Sequence, residues 1–183
     1  MKNFNMTHGI SSNGSSAVAD LAEQQRLCLL SPRKWFRDSF EVSTDSSLLN
    51  HRLIFQWLSD LTSDARRLAL ALSTSLCFGL YRNGRQIGFA RVVTDMAETA
   101  VVRDLYISQE YRFIGLGSWL LSCCISHPAV RGCHTVICLS KTSHEFLEKC
   151  GFRSHTLLPD IFGPDAGHAG YAESGLTDHL LRQ

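Results

Sequence analysis

YRFIGLGSWLL, residues 111–121, places an arginine, two glycines one residue apart and an apolar run in quick succession. The run continues at helical spacing. Leu116, Trp119, Leu120, Cys123 and Cys124 fall at i, i+3, i+4, i+7 and i+8, which predicts an amphipathic helix ending near Pro128. Before the loop, AVVRDLYI (residues 100–107) reads as a β-strand. A strand, a glycine-containing loop and a helix start bring unpaired backbone N–H groups and the positive end of the helix dipole to one point, an arrangement suited to an anion. Gly115 and Gly117 permit close backbone approach. Two common phosphate-binding patterns fail on spacing: a dinucleotide fingerprint needs a third glycine where Leu120 stands, and a nucleotide P-loop needs a Gly-Lys-Ser/Thr that is absent. A lone GxG is more often only a tight turn, so the surroundings of the loop decide its meaning.

Working outward, SLCFGLYRNGRQIGFARVVT (residues 75–94) is two β-favouring runs joined at Asn83-Gly84, the pair that best tolerates positive φ, and predicts an antiparallel hairpin. Phe40 to Val42 alternates like a short strand. Thr44 or Asp45 can then cap a helix over residues 48–61, with an apolar stripe at Leu49, Leu53, Trp57 and Leu61. DARRLALAL (64–72) predicts a second helix, HTVICLS (134–140) a buried strand, SHEFLEKC (143–150) a helix stopped by Gly151, and FRSHTL (152–157) a last strand. Residues 1–30 are expected to be a poorly ordered extension, in which ADLAEQQRLCLL (19–30) has helix potential, and 31–183 a single domain. The tail from Ile161 is rich in Gly and Ala and receives no assignment.

The bulk composition narrows the function. Eighteen Lys plus Arg against seventeen Asp plus Glu leave a net charge of +1, without the basic excess of a nucleic-acid footprint. No apolar run approaches the about 18 residues that span a bilayer. The chain is therefore expected to be soluble and cytoplasmic, with a small-molecule or protein partner and neither nucleic acid nor membrane. Seven cysteines without CxxC pairing, most within apolar runs, read as buried free thiols, with no metal site.

Arg112-x-x-Gly115-x-Gly117 after a strand resembles the Arg/Gln-x-x-Gly-x-Gly/Ala loop of the GNAT superfamily of acetyl-CoA-dependent N-acetyltransferases. LCFGLYRNGRQIGFARVVTD is similar to the second and third strands of a bacterial-type subgroup. RDLYISQEYR resembles its fourth strand and the turn into the loop, SHEFLEKCGF its late helix and strand start, and FEVSTDSSLLNHRLIFQWLSD its first strand and helix. The likeness runs from about residue 38 to 158. Two positions depart from it. Phe113 and Ile114 stand where relatives usually have glycine and often a basic residue, and Leu147 stands where many carry the tyrosine taken as general acid.

The resemblance implies an α/β (α+β) fold, with a mixed, mostly antiparallel central sheet flanked by helices and its fourth and fifth strands splayed. It implies acetyl-CoA as acetyl donor, with pantetheine between AVVRDLYI and HTVICLS, the backbone of Leu105, Tyr106 and Ile107 beside the thioester, and Arg112, Phe113, Ile114, Gly115, Leu116, Gly117 and Ser118 around the pyrophosphate. An amine of a small molecule or a protein attacks directly, so no cysteine need act as nucleophile. The catalytic candidates are Asp104, Tyr106 and His144. Period-two alternation puts Val101, Arg103, Leu105 and Ile107 on one face and Val102, Asp104 and Tyr106 on the other. An aspartate in such a strand needs a site or an ion pair to explain it, and both readings stand. Two rivals to the enzyme are an acyl-CoA-binding sensor that has lost its acid at Leu147 and a cofactor-free structural domain. A homodimer is compatible with all of these.

Overall fold

A computed structural model describes residues 13–59, 64–139, 144–155 and 171–174. The chain divides into two units, Met1–Ser31 and Pro32–Gln183. The first contains helix α1 (Asn13–Leu29), which includes the segment with helix potential.

The second unit runs β1 (Lys34–Arg37), β2 (Phe40–Ser43), α2 (His51–Trp57), α3 (Ala65–Ser73), β3 (Leu76–Arg82), β4 (Arg85–Thr94), β5 (Thr99–Ile107), α4 (Leu116–Ser126), α5 (Pro128–Arg131), β6 (Thr135–Leu139), α6 (His144–Lys149), β7 (Phe152–His155) and β8 (Tyr171–Ser174). Strands β1 to β6 form one sheet in sequence order, and β7 pairs with β8. Every ladder of the large sheet is antiparallel except β5 with β6. This is the mixed, mostly antiparallel sheet with flanking helices that the family resemblance implies. The β3–β4 hairpin turns through Asn83 at φ 50° and Gly84 at φ 75°, both in the left-handed region.

Each face of the sheet is covered by helices. On one, Phe89 joins Ile54 and Leu58 with Leu68 and Leu72 of α3 in a buried cluster. The pairing of Phe89 with Tyr106 and of Gly88 with Ile107 sends Ile107 to the opposite face, where α4 packs. There His127, fully buried, lies against Trp35 and Phe78 at centroid distances of 6.0 and 5.7 Å. Its Nδ1 accepts from the Ala129 N–H and caps α5, and burial depresses its pKa to about 4.

Three features differ from the sequence expectation. The single helix over 48–61 is two elements. Asp45 caps only a 3₁₀ turn, Ser46–Leu48, whereas Asn50 accepts from the Leu53 N–H at 3.0 Å and starts α2. The Asn50 N–H is itself held by Gln86 Oε1 at 2.7 Å, so a buried glutamine on β4 fixes where the helix begins. Its buried residues are Ile54 and Leu58, against whose cluster Leu49 and Trp57 of the expected stripe pack half-buried; Leu61 falls outside the described residues. Second, β1 and β8 were not anticipated. Third, period-two alternation fails in β5, for a reason that defines the site.

Candidate active site

The first half of β5 is paired on both sides. Its parallel ladder with β6 extends from Thr99 opposite Thr135 to Arg103 opposite Leu139, and Ala100 and Val102 are completely buried. Among the described residues this ladder runs no further than Arg103, while β5 continues to Ile107 along β4. At that point Arg91 pairs with Arg103 and Phe89 with Tyr106, so Asp104 and Leu105 together oppose Ala90. Asp104 takes φ 56°. This bulge bends the strand and inverts its faces. Val102 and Ile107 now share the α4 face and Tyr106 lies on the α2 face with Arg103, correcting the assignment of Ile107 to the face of Arg103 and of Tyr106 to that of Val102.

The bulge also gives Asp104 its partner. Its Oδ2 accepts from Arg91 Nε, and both side chains are nearly covered, at 11% and 12% exposure. Arg91 Nη1 donates onward to Ser75 Oγ at 3.1 Å. The ion pair thus crosses from β5 to β4 and does not involve Arg103. The Tyr106 ring stacks on Trp57 at 4.8 Å and 23°, and the Arg112 guanidinium lies 5.4 Å from its centroid.

The open edge of β5 leads into the loop. The Ser108 N–H donates to the Ile87 carbonyl at 2.8 Å, so one residue earlier the N–H and C=O of Ile107 point away from β4. Arg112 Nε donates to that Ile107 carbonyl at 2.9 Å, which makes Arg112 a brace between loop and strand. Gly115, at φ 81°, is the N-cap of α4 and supplies no side-chain cap, leaving the first-turn N–H groups without the usual oxygen. These uncapped donors at a helix start fit an anionic group. Phe113, at φ 64°, and Ile114 are exposed. Arg37 of β1 donates to the carbonyls of Ile114 at 3.1 Å and Gly115 at 3.5 Å. Nothing in the sequence connects position 37 with position 114.

The remaining candidates have different surroundings. Leu116 is buried. A side chain at Gly117 would begin 3.3 Å from the Phe146 ring, so this glycine is shaped by α6 packing against α4. Ser118 Oγ accepts from the Cys150 thiol at 3.6 Å. Leu147 is buried, and His144 is the first residue of α6. Burial pushes the thiols of Cys77, Cys123 and Cys138 up to about 12, which keeps them protonated and unreactive. Among the described residues, no group of three His, Cys, Asp or Glu could hold a metal ion, and no helix is long and apolar enough to cross a membrane.

The bulged strand and the uncapped helix start flank the loop whose motif resembles that of the acetyltransferases. The chain belongs to the Acetyltransferase (GNAT) family, whose profile matches residues 31–152. It is 34% identical over 127 residues to a Gibberella zeae protein assigned by inference as an acetyltransferase, a match covering 55% of this chain and 70% of that one. A GNAT-family structure from Xanthomonas campestris pv. campestris superposes with TM-score 0.63 at 30% identity, covering 72% of this chain and 96% of the other. A GNAT acetyltransferase from Elizabethkingia anophelis, solved with acetyl-CoA bound, shares the fold at TM-score 0.54 and 15% identity, over 74% of this chain and 96% of that one.

Proposed function

We propose that residues 31–183 form an N-acetyltransferase domain that moves an acetyl group from acetyl-CoA to a primary amine of a small molecule or protein by direct attack. The observation that carries this reading is the continuity of the open half of β5 with the uncapped start of α4. Both features suit one extended ligand with a diphosphate at one end. The acetyl-CoA in the Elizabethkingia anophelis structure is consistent with it. When bound, acetyl-CoA supplies a thioester whose carbonyl carbon accepts the amine and whose sulfur departs.

The chain's own groups divide the work. Backbone N–H groups of residues 113–118 receive the diphosphate, with the helix dipole behind them. Arg112 fixes the Ile107 carbonyl and so orients the Ile107 N–H on the open edge, where a donor stabilises charge developing on the thioester oxygen. Leu105 and Tyr106 complete that wall. Asp104 removes the proton from the incoming ammonium through Oδ1, because Arg91 occupies Oδ2. Tyr106, with its hydroxyl on a ring clamped by Trp57 and Arg112, returns a proton to the departing sulfur, and His144 at the start of α6 is the alternative donor.

A second reading rests on Leu147. An apolar, buried residue at this position, together with an Asp104 already engaged by Arg91, favours an acyl-CoA-binding sensor. Incubation with labelled acetyl-CoA and an amine panel, followed by mass spectrometry and a free-thiol assay, separates the two. Labelled product with stoichiometric CoA release supports the enzyme; saturable binding without release supports the sensor.

A further inference from the structure

The segment Phe113 to Ser118 carries no charged side chain, although its proposed ligand is a dianion. Arg112, just before it, is engaged with the Ile107 carbonyl, and a second cation reaches the segment from elsewhere in the sheet. Arg37, on the edge strand β1, directs its guanidinium onto the loop, with Nη2 donating to the Ile114 carbonyl at 3.1 Å and Nη1 to the Gly115 carbonyl at 3.5 Å. The same guanidinium lies 5.4 Å from the Trp119 ring, one turn into α4. It therefore touches the last residues of the loop and the first turn of the helix together. The β1–β2 hairpin supports this reach. Arg37 pairs with Phe40 directly at the turn, where Asp38 adopts φ 53°, so the arginine extends from the turn end of the edge strand.

In a planar trans peptide the C=O and the N–H point in opposite directions. The Ile114 carbonyl shares its peptide with the Gly115 N–H, and the Gly115 carbonyl shares its peptide with the Leu116 N–H. Holding both carbonyls on the Arg37 side turns both N–H groups to the other side, and the hydrogen bonds polarise them in the same sense. The Gly115 carbonyl also accepts the Trp119 N–H at 3.1 Å as the first bond of α4, so Arg37 reinforces that peptide, while its shorter contact to Ile114 holds the preceding peptide, which the left-handed Gly115 would let rotate at little steric cost.

We infer that Arg37 is a positioning residue of the diphosphate loop. It sets two consecutive N–H donors toward the ligand from behind and supplies the positive charge that Phe113 and Ile114 do not provide. The inference rests on the acetyl-CoA reading of the site.

The test uses the full chain and two probes: CoA, which carries the diphosphate, and acetyl-pantetheine, which does not. Arg37→Met should weaken CoA binding by at least about tenfold and raise the KM for acetyl-CoA to match, with kcat unchanged. Its kcat/KM with acetyl-pantetheine should equal that of wild type. Arg37→Lys, able to reach one carbonyl but not both, should fall between the two and also decides the matter if the methionine variant does not fold. Wild-type CoA affinity in either folded variant overturns the role of Arg37 while leaving the function intact. An equal loss with acetyl-pantetheine makes Arg37 merely structural. Failure of the wild type to bind CoA removes the underlying reading itself.

Discussion

The two halves of β5 have almost opposite properties within one strand. From Thr99 to Arg103 the backbone is paired to β4 and β6, and alternate side chains are wholly buried. From Asp104 to Ile107 the backbone is paired, among the described residues, to β4 alone, side chains are held by ion pair and ring stacking, and a carbonyl reaches out to Arg112. A single extra residue separates them. The closed half obeys the packing rules of an interior strand, and the open half leaves backbone groups and polar side chains for a ligand. Substitutions in the closed half should therefore change stability at constant turnover, and those in the open half should change turnover.

The largest effect is expected at Asp104. Asp104→Asn keeps a hydrogen-bonding oxygen for Arg91 but removes the base, and turnover should fall by about 10²–10⁴-fold with acetyl-CoA affinity nearly unchanged. Unchanged turnover in the folded variant would make Asp104 only a tie between β4 and β5. In the closed part of the molecule, His127 should govern acid sensitivity. Its folded pKa of about 4 lies below that of the unfolded chain, so the unfolded state takes up the proton first as pH falls. Stability present above about pH 6.5 should decline by about 3 kcal/mol on approaching pH 4. Urea midpoints across that window should flatten in His127→Asn, which retains an oxygen cap for α5 but does not titrate.

Smaller effects bracket the boundary between the halves. Val102→Ala removes completely buried methyl groups and should cost about 2 kcal/mol in urea unfolding, with the same turnover per folded molecule. A drop in turnover there would show that the two halves are not separable. The smallest change is expected from Leu147→Tyr. A thiol with pKa near 8.5 leaves as thiolate at pH 7 for only about 2 kcal/mol, so restoring a hydroxyl should raise turnover by less than about tenfold. A folded variant no faster than wild type would show that the proton already comes from another residue.

How far the sequence could be read follows the same division. The β3–β4 hairpin, α3 and α4 were legible because local rules settle them: Asn83-Gly84 permits one tight turn, Asp64 caps α3, and the α4 stripe is uninterrupted. The position of the loop and the strand before it were legible for the same reason. The bulge at Asp104 was not, because it arises from the register against β4; the aspartate stands out in AVVRDLYI, but nothing local marks an extra residue there. The places of Arg91, Trp57 and Arg37 at the site were not legible because each meets it only through tertiary contact. For β1 the cause is shortness: Lys34 to Arg37 is half polar, and pairing with β2 makes it a strand. Asn50 displaced the expected cap because Gln86, distant in sequence, holds its N–H.

On the proposed reading, the open half of β5 and the start of α4 together receive acetyl-CoA. The most direct measurement is the melting temperature of the full chain titrated with acetyl-CoA. At about 100 times the dissociation constant, binding should add about 2.7 kcal/mol, raising the midpoint by about 5–10 °C for a chain of this size. The shift should grow with ligand concentration in the form expected for one site. No shift at millimolar acetyl-CoA would contradict both the enzyme and the sensor and leave the open half of β5 without its proposed ligand.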